Sequence, residues 1–137
     1  TGTPGQGPVI LAATFRLQPD PEDEDGAKAD RYIAHRRQTQ PVDKSAGSIF
    51  KNPPGDHAGR LIEAAGLKGH AIGGAVVSPL HANFIVNRGT ATAGDVVALM
   101  NTILLRVYER FAVVLEPEIL FAGDWSAGPS LLPCRDC

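Results

Sequence analysis

The sequence predicts an α+β fold in which helices pack on one side of a small mixed sheet. Two observations carry this prediction. Short apolar runs rich in β-branched residues are typical of strands, and longer segments carry apolar residues at helical spacing. Along the 137 residues these segments follow the order strand, helix, loop, helix, strands, long helix and strand, which suits one sheet with its helices on one face.

Two helices are predicted in the first half of the chain. Asp20 followed by Pro21 signals the start of the first helix, and acidic residues fill its first turn, where the helix dipole favours negative charge. Arg36 and Arg37 fall at the opposite end, where cations are favourable. Asp56 is the predicted cap of the second helix, which ends at a glycine ten residues later.

The third helix has the strongest sequence signal. Thr92 and Asp95 have the spacing of a capping box, in which each side chain accepts a hydrogen bond from the other residue's backbone amide. The apolar residues that follow recur at helical spacing and predict one stripe that faces the core: Val96, Met100, Ile103, Leu104, Val107 and Phe111.

Strands are predicted at both ends of the chain and between the second and third helices. A glycine-rich turn over 69–77 leads into a short strand, and longer strands are predicted at 9–17, 83–87 and 113–121. In the last of these, Glu116 and Glu118 share one face because side chains alternate along a strand. Two carboxylates on one face indicate either a site or the solvated side of an edge strand.

Composition excludes some classes of function. The formal charge of −2 argues against nucleic acid as the main partner, because binding phosphates requires a basic excess. No apolar run approaches the roughly 20 residues of a membrane span, and we expect a cytoplasmic protein. Residues 1–8 are interpreted as a linker or truncated remnant, 9–123 as one domain, and 124–137 as a disordered tail.

Several common sites are not predicted. The four histidines (His35, His57, His70 and His81) lack metal-ligand spacing, so no metal site is expected. Cys134 and Cys137 end the chain, and no helix follows that would activate a redox pair. A serine nucleophile elbow and a dinucleotide-binding glycine motif are also missing from the sequence.

The segment SAGSIFKNPP (45–54) is the strongest candidate for a ligand-binding loop. It places the Ser48 hydroxyl next to Gly47, which allows close approach of the backbone to a partner, and follows them with Lys51 and Asn52. The two prolines stiffen the far side of the turn. An ordinary surface turn is the alternative.

Six motifs in the same order make the chain resemble UDP-N-acetylenolpyruvoylglucosamine reductase, a flavoenzyme of bacterial peptidoglycan synthesis. They are RQTQP (37–41), SAGSIFKNP (45–53), AGRLIEAAGLK (58–68), IGGA (72–75), HANFIVN (81–87) and LEPE (115–118). The resemblance runs from about residue 9 to residue 123. It implies the C-terminal, substrate-binding domain of that family.

The resemblance also implies roles for individual residues. Ser48 matches the proton donor to the substrate, and Glu118 matches the glutamate that stabilises the enol-like intermediate. Asn52 matches a contact to the substrate diphosphate, and Lys51, Gln40 and His81 match further substrate contacts. Gly47 and Ser48 are also expected to lie against the flavin. Beside a substrate carboxylate, Glu118 should be protonated or paired with a cation.

The implied reaction reduces the enolpyruvyl group of UDP-N-acetylglucosamine enolpyruvate, with FAD as cofactor and NADPH as reductant. The family's N-terminal FAD-binding domain does not occur in this sequence. The resemblance implies that this domain is the partner of the present chain. We therefore expect the isolated chain to be inactive. The alternative hypothesis is a truncated UDP-sugar-binding module without redox activity.

Overall fold

The computed structural model describes residues 11–19, 24–125 and 131. Three helices and four strands follow one another along the chain. They are α1 (Glu24–Thr39), β1 (Ser45–Ser48), α2 (Ala58–Ala64), β2 (Ala71–Ile72), β3 (Ala75–Val77), β4 (Phe84–Asn87) and α3 (Ala93–Phe111). The predicted α+β fold with a small sheet is confirmed.

The four strands form one sheet in the order β1-β4-β3-β2. All three pairings are antiparallel, which refines the mixed sheet expected from the sequence. The glycine-rich segment 69–77 forms a hairpin of two short strands instead of a turn and one strand. β1 is an edge strand, and its register with β4 shifts between Ser45 and Ser48.

The main core lies between the sheet and the helices α2 and α3. Ala75, Val77 and Ile85 belong to this cluster, whereas their sheet neighbours Val76 and Val86 are buried outside it. The alternation of side chains therefore directs one face of β3 and β4 toward the two helices. The predicted stripe of α3 is largely confirmed, because Met100, Ile103, Leu104 and Val107 are buried and Val96 and Phe111 pack against the cluster.

The capping box at the start of α3 is confirmed. The Asp95 amide donates to Thr92 Oγ1 at 3.1 Å, and the Thr92 amide donates to the Asp95 carboxylate at 2.9 Å. This backbone hydrogen bond from Thr92 lowers the pKa of Asp95. The same carboxylate lies against the β2–β3 turn, where a Cβ on Gly73 would meet it.

The predicted cap of α2 is wrong. His57 occupies the N-cap position, and its side chain makes no capping hydrogen bond. The Asp56 carboxylate instead accepts from the His57 amide and from Arg60. Asn52, earlier in the preceding loop, supplies the side-chain oxygen that accepts from the Ala58 amide at 3.0 Å. Local residue spacing does not predict a capping residue that reaches the helix across a folded loop.

The predicted strand over 113–121 is not part of the sheet. Its side chains do alternate, with Leu115 buried and Glu116 and Glu118 exposed, but only one bridge, Phe50 to Pro117, is formed. Pro117 has no amide to donate, and the backbone of residues 116–118 forms hydrogen bonds only with residues 49–51 among the described residues, so no longer ladder develops.

The predicted first strand is also wrong over residues 11–17, which form no strand. Leu11, Phe15 and Leu17 expose 80–92% of their surface, and no described strand pairs with them. Periodicity predicts a strand only where a neighbour accepts its hydrogen bonds. α1 is confirmed with Arg36 and Arg37 in its last turn, but its predicted acidic start at 20–23 lies outside the described residues.

The predicted linker (1–8) and the two cysteines lie outside the described residues as well. Within the predicted tail, the Trp125 indole packs edge-on against Phe121 at 5.1 Å, and Leu131 packs against the core. In the described part of the chain, no helix has the length and apolar character needed to cross a membrane.

Candidate functional site

A crevice of about 370 Å³ opens where β1 ends. Four parts of the chain form its walls: the end of β1 with the loop that follows, the first turns of α2, the β3–β4 loop, and the segment around Glu118. The residues that line it are Ser48, Phe50, Asn52, His57, Gly59, Arg60, Glu63, Leu80, His81, Ala82, Asn83 and Glu118. The crevice therefore combines residues that are up to 70 positions apart in the chain.

A buried asparagine holds the floor of the crevice. The Asn83 carboxamide accepts from the Phe50 amide at 3.0 Å and donates to the Phe50 carbonyl at 2.8 Å. The backbone carbonyl of Asn83 also accepts a hydrogen bond from the Ile49 amide at 2.9 Å. The Asn83 side chain thus satisfies both the amide and the carbonyl of Phe50. These bonds fix the backbone directly after Ser48.

The segment that carries Glu118 is attached to the same stretch of backbone. The Glu118 amide donates to the Ile49 carbonyl at 2.8 Å, and the Lys51 amide donates to the Glu116 carbonyl at 2.8 Å. Residues 49–51 are therefore held on one side by the side chain and the backbone carbonyl of Asn83. On the other side they are held by the 116–118 segment. As a result, Ser48 and Glu118 are placed against the same strip of backbone.

The polar groups of Ser48 and Glu118 are available to a ligand. Ser48 is half-buried and Glu118 is exposed. Among the described residues, neither the Ser48 hydroxyl nor the Glu118 carboxylate has a hydrogen-bond or ion-pair partner. A hydroxyl and a carboxylate that share a crevice without internal partners can donate a proton and bind or orient a polar substrate group.

Asn52 and His81 also line the crevice, and each is held by a backbone group. The Asn52 side-chain oxygen caps α2, so its amide nitrogen is the group left for a ligand. His81 Nδ1 accepts from the Asn83 amide at 3.2 Å, which places the proton of the neutral ring on Nε2. The ring lies over Gly59, where a Cβ would come within 3.1 Å of His81 Cε1, and packs edge-on against Phe84.

The charged residues on the α2 wall are already paired. Arg60 Nε donates to the Asp56 carboxylate at 2.6 Å, with a second bond from its terminal nitrogen. This hydrogen bond from Arg60, together with one from the His57 amide, lowers the pKa of Asp56 to about 2. Glu63 pairs with Lys68 at 2.9 Å. An anionic ligand in this crevice would therefore compete with Asp56 for Arg60.

Three of the predicted site residues lie elsewhere. Lys51 does not line the crevice, and its ammonium pairs with Glu116 on the surface. Gly47 and Gln40 line a separate groove of about 500 Å³ between the end of α1 and the sheet, which we call the α1 groove. Ser48 therefore lines the crevice, whereas the preceding residue Gly47 lines the α1 groove.

The residues expected to meet the flavin fit it only in part. Gly47 has φ +82°, and no atom lies within 4 Å of the position a Cβ would take, so a flat ring can approach the backbone there. Within the described residues, no glycine loop precedes a helix to bind its phosphates. No cluster of three metal-ligating side chains occurs in the described residues either.

Sequence reasoning missed the role of Asn83 and the fit between Gly59 and His81. The sequence places Asn83 at the start of a predicted strand, and nothing local marks an asparagine whose partner lies 33 residues earlier. The one available signal was that polar Asn83 precedes the apolar run of β4, since a buried polar residue there needs a partner.

Comparisons with known proteins agree with the motifs. Residues 39–122 match the family model described as UDP-N-acetylenolpyruvoylglucosamine reductase, C-terminal domain. Reductases of that name from Desulfosudis oleivorans and Anaeromyxobacter dehalogenans are 53% and 49% identical over 90% and 87% of this chain. The matched segments cover 40% and 36% of the lengths of these two reductases.

A solved structure gives the same result. The crystal structure of the reductase from Thermus caldophilus superimposes with a TM-score of 0.60 at 45% identity, over 75% of this chain and 37% of that one. The chain thus spans about 40% of the length of the curated relatives it matches. The chain belongs to the family of UDP-N-acetylenolpyruvoylglucosamine reductase C-terminal domains.

Proposed function

We propose that this chain is the substrate-binding and proton-donating part of a UDP-N-acetylenolpyruvoylglucosamine reductase. One observation carries the proposal: Ser48 and Glu118, 70 positions apart, line one crevice with no internal partner for either polar group among the described residues. The substrate is UDP-N-acetylglucosamine enolpyruvate and the product is UDP-N-acetylmuramate. The reaction is a step of peptidoglycan synthesis in the cytoplasm. FAD and NADPH serve as cofactor and reductant.

In this proposal the crevice acts on the enolpyruvyl group. Reduced flavin, when bound, supplies the hydride that adds to the β-carbon of this group. Addition there moves the electron pair of the double bond toward the substrate's α-carbon and carboxylate. The Ser48 O–H bond then breaks as its proton forms the new C–H bond at the α-carbon, and water restores the hydroxyl.

Glu118 and Asn52 have supporting roles. When protonated, Glu118 donates a hydrogen bond to the substrate carboxylate, where negative charge accumulates before the proton arrives. Asn52 presents its amide nitrogen to the diphosphate, since its oxygen is already used to cap α2. Lys51, which pairs with Glu116, contacts the diphosphate only if that exposed ion pair opens, and such pairs are weak.

Gln40 and Gly47 contribute from the α1 groove in this proposal, and Gly47 directly precedes Ser48 on the edge strand β1. They lie in the α1 groove, where Gly47 leaves room for the flavin ring and Gln40 contacts the part of the substrate that extends beyond the crevice. His81 directs Nε2–H into the crevice as a further substrate contact. The N-terminal domain of the family's complete enzyme is the partner that holds FAD.

The test joins the flavin-binding part of the Desulfosudis oleivorans reductase to this chain. In this chimera, Ser48→Ala should leave reduction of flavin by NADPH within about 2-fold and slow its reoxidation by substrate by about 10²–10⁴-fold, the usual contribution of a general acid. Thr102→Ala, which removes a hydroxyl from α3 outside both the crevice and the α1 groove, is the matched control. Equal reoxidation rates in Ser48→Ala and the parent chimera would remove Ser48 from the mechanism.

The isolated chain provides the second arm. We expect it to be colourless and not to oxidise NADPH, while it binds UDP-N-acetylglucosamine enolpyruvate in a calorimetric titration. Flavin absorbance that survives dialysis would contradict the assignment of FAD to the partner. Binding by the chain together with no turnover by the chimera would favour a UDP-sugar-binding module without redox activity.

A further inference from the structure

We infer that Asn83 is a positioning residue that sets Ser48 and Glu118 relative to each other. This inference deepens the proposed function and rests on it. It starts from a contact that links two of the crevice walls: the Asn83 carboxamide bonds both the amide and the carbonyl of Phe50. Asn83 is 4% exposed, so water does not replace these bonds when they are lost.

The geometry resembles one more rung of a β-ladder. An extended residue offers a neighbouring strand one N–H and one C=O, and the Asn83 side chain occupies that place beside Phe50. On its opposite side, the stretch 49–51 is bonded to the 116–118 segment at Glu118 and Lys51. The Phe50 backbone therefore cannot shift without moving the segment that carries Glu118.

Asn83 is itself held in place from two directions. Its amide donates to His81 Nδ1, and its carbonyl accepts from Ile49. The His81 ring in turn rests on Gly59 of α2. Three walls of the crevice are thus connected through Asn83, whose backbone contacts His81 and Ile49 and whose buried carboxamide contacts the backbone after Ser48.

The effect expected from this arrangement is specific to the proton transfer. Small displacements of a general acid from its productive position cost large factors in rate, whereas a contact to a remote diphosphate tolerates them. Loss of the Asn83 bonds should therefore slow the substrate half-reaction far more than it weakens substrate binding or slows reduction of the flavin.

The first measurement is amide hydrogen exchange in the isolated chain. Asn83→Leu keeps the size and branching of the side chain and removes both bonds to Phe50. The protection of the Phe50, Lys51 and Glu118 amides should fall at least 10-fold, while that of α3 amides such as Ile103 stays within 3-fold. A uniform loss of protection in all elements would overturn the inference, because Asn83 would then contribute only stability.

The second measurement compares half-reactions in the chimera described above. For Asn83→Leu, reoxidation of flavin by substrate should slow by about 10²-fold, with KM for the substrate and the rate of flavin reduction within 3-fold of the parent. If Asn83→Leu does not fold, Asn83→Ser provides the same comparison, because it keeps a polar group at this buried position but cannot bond both the amide and the carbonyl of Phe50.

A matched control lies four residues further along the chain, at the last residue of β4. The Asn87 side-chain oxygen accepts from the Gly89 and Ala91 amides at 2.7 and 3.1 Å, outside the crevice. Asn87→Leu also removes two hydrogen bonds and should leave both half-reactions within 2-fold. An equal slowing of reoxidation in both variants contradicts the inference. If the parent chimera is inactive, the proposed function fails, and the exchange measurement alone decides whether Asn83 holds this geometry.

Discussion

Residues 45–119 and residues 11–44 both carry large apolar side chains but use them differently. In the first region most of them are buried, and Leu61, Leu99 and Leu115 in the core cluster are no more than 2% exposed. In the second region Leu11, Phe15 and Leu17 remain at least 80% exposed, and Tyr32 and Val42 are exposed as well. The same residue types stabilise a fold only where other elements close over them.

The comparison also separates the two sides of the proposed site. The crevice belongs to the packed region, and its walls are joined by buried hydrogen bonds. The α1 groove is formed in part by the end of α1, which packs little of its surface. The crevice is therefore the better-defined half of the site in this chain, and the α1 groove depends more on what contacts α1.

The largest expected effect comes from truncating the same residue type in each region. Leu99→Ala removes a fully buried side chain from the middle of α3 and should lower the free energy of unfolding by about 2–5 kcal/mol. Leu17→Ala should change it by less than about 0.5 kcal/mol, because Leu17 is 85% exposed. Urea denaturation measures both, and equal effects would contradict the division into packed and unpacked regions.

A smaller effect is expected from adding one methyl group. A Cβ on Gly74 would lie 2.6 Å from the Thr90 carbonyl carbon and closer still to the Ala91 nitrogen, and backbone atoms cannot move aside as a side chain can. Gly74→Ala should destabilise the protein by about 1–3 kcal/mol.

The matched substitution in the other region has the opposite sign. Gly26→Ala, within α1, should stabilise the helical conformation of α1 by about 1 kcal/mol, because alanine has a higher helix propensity than glycine. Thermal unfolding reports the first change, and circular dichroism with amide exchange in α1 reports the second. Destabilisation by Gly26→Ala would show that α1 is packed more tightly than its exposure indicates.

The smallest effect concerns acid stability at the α2 wall. The bond from Arg60 lowers the pKa of Asp56 from 3.8 to about 2, so the ion pair stabilises the folded state above pH 4 and this contribution is lost as the pH falls toward 2. Denaturation midpoints of the parent and Asp56→Asn should therefore differ at pH 5 and converge by pH 2. A difference that stays constant over this range would contradict the assigned role of the Asp56–Arg60 pair.

Local patterns were sufficient where the determining contacts are close in the chain. The Thr92–Asp95 capping box, the apolar stripe of α3 and the strand ending at Asn87 are all specified within a few residues, and the structure has them. Local patterns failed where a partner was required. Residues 11–17 have no described partner strand, and the backbone around Pro117 forms hydrogen bonds only with residues 49–51 among the described residues.

The sequence by itself determined the family, the α+β class and the residue types of the site, because motif order and periodicity are written along the chain. Only the tertiary structure decided that Ser48, Asn52, His81 and Glu118 share one crevice while Gly47 and Gln40 line another groove. It also decided that Asn83 joins the walls. The physical reason is that long-range hydrogen bonds, and the crevices between separate segments, exist only once distant segments have packed together.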